Sequence, residues 1–159
     1  MADLIMEVGL PGCGKSYVAE LIIREEPNKY KWVSSDNIRE KLWGDANDQR
    51  NPKAVFEEML CRTIKYLEEG YNVVYDATNL QMKFRIETLH KVREFINLDE
   101  AICLIFDVPI DECIKRAAAR ERKVSKDVIE KMARRYEKPT YDEGWDTIIT
   151  AMARKRDNN

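Results

Sequence analysis

The sequence predicts an α/β fold, a doubly wound parallel sheet of about five strands. Two observations lead there. Strand and helix signals alternate along the chain, and the first strand signal runs into a glycine-rich turn that opens a helix. The 159 residues suit one domain, 1–159, with its core at about 4–150. The apolar runs are only a few residues long, far short of the roughly 20 that span a bilayer.

Leu4 to Val8 reads as a short buried strand ending at Gly9. A helix starts near Lys15, with Val18, Leu21 and Ile22 on one face, and stops at Pro27 and Asn28. Tyr30 to Ser34 reads as a second strand, after which Ser35 and Asp36 offer helix N-cap chemistry. A polar loop follows at 44–52. Val55, Phe56, Met59, Leu60, Ile64 and Leu67 then recur at helical spacing to a stop at Gly70. Asn72 to Tyr75 is a β-branched run ending at Asp76, and Met82 to Ile96 is helical. Ala101 to Phe106 is the most apolar strand candidate. Helices are expected at Ile110 to Arg122 and Lys126 to Tyr136, and a last strand at Trp145 to Ile149. The tail from Arg154 to Asn159 is expected to fray.

With 27 Lys+Arg against 29 Asp+Glu, the net charge is −2. That balance argues against a broadly basic nucleic-acid coat and leaves room for a local basic site. Asp3 and Glu7 interrupt the apolar N-terminus, which lacks a basic leader and does not read as a signal peptide. Cys13, Cys61, Cys103 and Cys113 form no CxxC pair. Reduced thiols and a cytoplasmic, non-membrane protein are therefore expected.

Doubly wound sheets bind ligands at the carboxyl ends of their strands, so the residues just after each strand carry the chemistry. Gly9 to Ser16, GLPGCGKS, matches G-x-x-x-x-G-K-[ST] between a strand and a helix. Glycines let backbone N–H groups turn inward around phosphate oxygens, and the helix N-terminus adds favourable charge. ATP is expected on Gly9, Gly12, Cys13, Gly14, Lys15, Ser16 and Tyr17. Lys15 would reach the β- and γ-phosphates, and the Ser16 hydroxyl would ligate Mg²⁺. A glycine turn with an incidental lysine is the plainer alternative.

After the second strand, Asp36 stands where a carboxylate could accept a hydroxyl's proton. Arg39, on the same helical face, could hold an acceptor phosphate. As an isolated D-x-x-R, the pair would read as an N-cap and a solvated charge. Asp76 ends the third strand in a Walker-B-like position, acting on the acceptor side and through the Mg²⁺ shell; a plain strand-end cap is the alternative. Asn79 and Arg85 could reach the acceptor. Beyond the fourth strand, Arg116 and Arg120 are i,i+4 neighbours, with Arg122 in the following turn. A lid carrying these arginines would clamp phosphates in the transition state, whereas such runs are otherwise just charged helix faces.

GLPGCGKS, SSDNIR, YDATNL and FDVPIDECIKRAAAR together resemble the kinase domain of phage-type 5′-polynucleotide kinases and their zeta-toxin-like P-loop relatives, over roughly 4–139. The resemblance implies a P-loop kinase fold with an arginine-bearing lid. It also implies transfer of the ATP γ-phosphate to a 5′-hydroxyl of DNA or RNA. Lys15 and Ser16 match the family's phosphate and metal residues, Asp36 its general base, Arg39 its acceptor-phosphate ligand, and Arg116 and Arg120 its lid arginines. Two departures concern the acceptor: Ala117 follows the first lid arginine in place of asparagine, and Ser34-Ser35 replace a more basic run. A kinase for a small metabolite, an antibiotic or an aminoacyl-RNA, a zeta-type toxin, and a nucleotide switch without an acceptor remain open alternatives.

Overall fold

The computed structural model describes residues 2–120 and 124–152. The elements run β1 (Asp3–Val8), α1 (Lys15–Glu25), β2 (Tyr30–Ser34), α2 (Ser35–Trp43), α3 (Pro52–Glu68) and β3 (Asn72–Asp76). They continue with α4 (Met82–Phe95), β4 (Glu100–Asp107), α5 (Ile110–Ala118), α6 (Lys126–Arg135), a 3-10 turn (Tyr141–Glu143) and β5 (Thr147–Met152). The five strands form one parallel sheet in the order β2-β3-β1-β4-β5. The α/β expectation holds, and β1 lies at the centre.

Alternation along β1 divides the core. Leu4, Met6 and Val8 are fully buried with Val73, Tyr75, Cys103 and Ile105, beneath Val55 and Met59 of α3 and Leu89 and Val92 of α4. Each such side chain stabilises the fold by roughly 1.5–3 kcal/mol. A smaller cluster joins Cys13, Phe106, Val108 and Cys113, with Val18 and Leu104 against it. Helices thus cover both faces, and the carboxyl ends of β1, β2 and β3 open on one edge.

Three boundaries differ from the sequence reading. The cap of α2 is Ser34, whose hydroxyl accepts the Asn37 N–H at 3.3 Å, so Ser35 and Asp36 lie inside the helix. The helix α5 ends at Ala118, so Arg120 lies beyond it and is not an i,i+4 partner of Arg116 within one helix. The last strand begins at Thr147, because Trp145 turns into the main core instead, and its indole N–H donates to Glu143 Oε1 at 3.2 Å.

Candidate active site

The phosphate loop is shaped by contact with α5. Gly12 has φ +85°, and a Cβ there would sit 2.4 Å from the Cys113 carbonyl oxygen and 3.2 Å from the Ala117 nitrogen. Only glycine fits that approach. Gly9 is equally close-packed: its Cβ would lie 2.6 Å from Cys13 Sγ. Cys13 is itself buried, and its side chain faces the small core cluster. The Lys15 ammonium is buried and donates to the Gly9 and Leu10 carbonyls at 2.9 and 3.0 Å, with Cys13 Sγ at 3.5 Å. The loop's own backbone thus holds the lysine in place. Tyr17, by contrast, is exposed at the start of α1.

Asp76 joins the loop to β2. Its Oδ2 accepts the Ser16 hydroxyl at 3.1 Å and the Trp32 indole N–H at 3.0 Å. Burial raises its pKa, the Asp36 charge adds to the rise, and Lys15, Trp32 and Ser16 oppose it. The charges of Lys15 and Asp36 thus both act on Asp76. The Ser16 hydroxyl and Asp76 carboxylate are hard oxygen donors of the kind Mg²⁺ takes. Among the described residues no three His, Cys, Asp or Glu side chains gather into a cage. Phosphate and water oxygens would complete the coordination, as is usual for Mg²⁺.

Asp36 stands in the first turn of α2, half exposed and relieved of capping. Arg39 Nη1 donates to its Oδ1 at 3.4 Å, while Arg39 Nε is buried without a hydrogen-bond partner. An unsatisfied buried guanidinium nitrogen beside a carboxylate is costly unless an anion meets it.

A family model described as an AAA domain matches residues 4–139. The chain belongs to that family. Its fold is that of a P-loop kinase, and this AAA domain is similar to several solved structures. One is a chain of the Pnkp1/Rnl/Hen1 RNA repair complex, at 27% identity and TM-score 0.73, covering 84% of this chain and 43% of that one. A fungal RNA kinase is matched at 19% identity and TM-score 0.71, over 100% of this chain and 40% of that one. A gluconokinase from Sinorhizobium meliloti 1021 is matched at 17% and TM-score 0.61, over 96% and 83%. The AAA domain thus spans less than half the length of the two RNA-related chains, and the likenesses below 25% identity carry the fold alone.

Two acceptor expectations are corrected. Arg85 is fully buried on α4 and does not face the site. Its guanidinium donates to Glu143 Oε1 at 2.7 Å and Oε2 at 3.0 Å, and to the Asn79 and Glu137 carbonyls at 2.9 and 2.8 Å. With Trp145 and the Thr140 N–H also on Glu143, the pair clamps the 137–145 segment to α4. Asn79 likewise shapes the loop: at φ 48°, its Nδ2 donates to the Glu7 and Ala77 carbonyls at 2.7 and 3.1 Å. These donors are spent on the fold and are not available to an acceptor.

Arg116 projects from the last turn of α5, next to the Ala117 nitrogen that abuts Gly12, and pairs with Glu112 at 3.0 Å. Arg120 is exposed beyond the helix, and Arg122 lies outside the described residues. Among the described residues no helix is long and apolar enough to cross a membrane. All four cysteines are free.

Two site residues were missed from sequence. Trp32 reads as an ordinary strand aromatic, and only the fold places its N–H on Asp76. Glu7 interrupts an apolar strand, a signal that was there to be followed. It is fully buried, opposite Asp76 across the β1–β3 ladder. Burial, and then the Asp76 carboxylate, push its pKa up to about 9, with Lys15 opposing.

Proposed function

We propose that this protein is an ATP-dependent kinase that transfers the γ-phosphoryl group to a 5′-hydroxyl of a polynucleotide. The observation that carries the reading is the Asp36–Arg39 pair, a carboxylate freed from capping beside a buried guanidinium nitrogen without a partner. In this reaction Asp36 orients the 5′-hydroxyl and accepts its proton while the oxygen bonds to the γ-phosphorus and ADP leaves. Arg39 holds the acceptor's neighbouring phosphate. Lys15 moves from the loop carbonyls onto the transferring phosphoryl group, and Arg116 and Arg120 neutralise charge from the lid. Ser16 and Asp76 would hold Mg²⁺, which would supply charge neutralisation for the β- and γ-phosphates. The 27%-identical likeness to a chain of the RNA repair complex supports the acceptor class.

A second reading, a kinase for a small hydroxylated metabolite, is favoured by the net charge of −2, which is not that of a broadly basic nucleic-acid binder. Labelled ATP offered with 5′-hydroxyl oligonucleotides, mononucleotides and gluconate separates the two. Transfer to the oligonucleotide is expected, and transfer to the small alcohols alone would replace the first reading with the second.

A further inference from the structure

Glu7 poses a question that the phosphate loop does not answer. Its side chain is fully buried, and neither carboxylate oxygen has a hydrogen-bond partner. A group like this costs stability, and it persists only where something else meets it. The charges that act on it are those of Asp76 and Lys15. Glu7 and Asp76 are register partners on adjacent parallel strands, so their side chains leave the same face of the sheet about 4.8 Å apart at the backbone. Lys15 does not neutralise the pair by direct contact, because its ammonium is donated to the Gly9 and Leu10 carbonyls. Two carboxyls and the Ser16 hydroxyl therefore face one small region, with a single cation that is already engaged.

We propose that Glu7 is the deep member of the divalent-cation site. In this role it works with Asp76 and Ser16 to set how tightly, and which, cation is held against the nucleotide. Three hard oxygen donors on one side suit Mg²⁺ or Mn²⁺, the remaining positions going to phosphate and water oxygens. The inference rests on the nucleotide site of the proposed kinase and is independent of which acceptor it uses.

The test is Mn²⁺ binding to the full chain with a non-hydrolysable ATP analogue, read by the electron paramagnetic resonance of free Mn²⁺. Thermal midpoints are measured in parallel. Glu7→Gln is expected to weaken Mn²⁺ binding about tenfold or more, in the range for residues that tune a metal site. Nucleotide affinity in chelator should hold, and the midpoint should stay level or rise. Glu7→Met, apolar and of similar volume, is expected to raise the midpoint further and weaken Mn²⁺ as much. Wild-type Mn²⁺ affinity in either variant would overturn the proposal. So would a midpoint lowered by many degrees in both, which would make Glu7 a structural residue. Asp76→Asn is the control: if it too leaves Mn²⁺ binding unchanged, the cation is held elsewhere and the whole site assignment falls. Absence of phosphate transfer to any acceptor, with the Mn²⁺ results as expected, would strike only the kinase reading.

Discussion

In the proposed reaction Asp36 and Arg39 divide two tasks between neighbouring side chains, and that division can be measured. Asp36→Asn keeps size and part of the hydrogen bonding but cannot take a proton. Turnover with a 5′-hydroxyl oligonucleotide is expected to fall roughly 10²–10⁴-fold with ATP affinity nearly unchanged. Arg39→Ala should act mainly on the Michaelis constant for the acceptor, since it touches no reacting atom. Steady-state kinetics with varied ATP and varied oligonucleotide separate the two effects. Glu7 makes a different prediction, in chelator. Its pKa is raised from 4.5 to about 9, so the folded state binds this proton more tightly than the unfolded chain. The stability this supplies is complete below pH 4.5 and is lost as pH climbs towards 9, at up to about 1.4 kcal/mol per pH unit. Thermal midpoints between pH 5 and 8.5 should fall more steeply for the wild type than for Glu7→Gln. Parallel curves would show that Glu7 does not titrate in this range.

Among the elements, α4 and α5 carry opposite lessons. Arg85 on α4 is half of a fully buried ion pair, and breaking such a pair costs about 3–5 kcal/mol. Arg85→Ala should lower the thermal midpoint by roughly ten degrees and lose activity in step with folding. A raised acceptor Michaelis constant at an unchanged midpoint would return Arg85 to the acceptor. Arg116 on α5 is partly exposed and paired only with Glu112. Arg116→Ala should cut turnover while the midpoint stays within a few degrees, because such surface pairs contribute little. The elements themselves were legible: each predicted strand and helix exists, because periodicity and turn residues report local forces. The fate of Arg85 was not, since Glu143 lies 58 positions away and only the assembled fold pairs them. Ser34 took the cap from Asp36 because one residue of shift in the strand end decides which hydroxyl meets the first free N–H groups. Trp145 left the expected strand because the apolar interior competes with sheet pairing, and a strand pattern cannot show which wins.

At the scale of the whole molecule, charge sets the terms on which a polyanion is met. In the proposed polynucleotide reading, a chain with a net charge of −2 offers the acceptor's phosphates Arg39 and the arginines after β4 rather than a broad basic surface. Binding of a single-stranded 5′-hydroxyl oligonucleotide should therefore depend weakly on salt. A log–log slope of about −1.4 to −2.1 corresponds to two or three neutralised phosphates. Measuring oligonucleotide affinity across a salt series checks this, and a much steeper slope would reveal a wider basic track than Arg39 and the lid provide. The donor half of the site was readable in advance because a contiguous motif encodes it. The surroundings of Asp76 draw single residues from β1 and β2, Glu7 and Trp32, whose juxtaposition with it no local pattern records.

The Gly12 contact with α5 ties the phosphate loop to the arginine helix through backbone alone. Carbonyl against glycine leaves no side chain to flex between them, so the joint is stiff. A shift of the loop towards α5 would therefore meet the backbone of the helix that carries Arg116. A single methyl group at Gly12 would force the two apart without altering any charged residue.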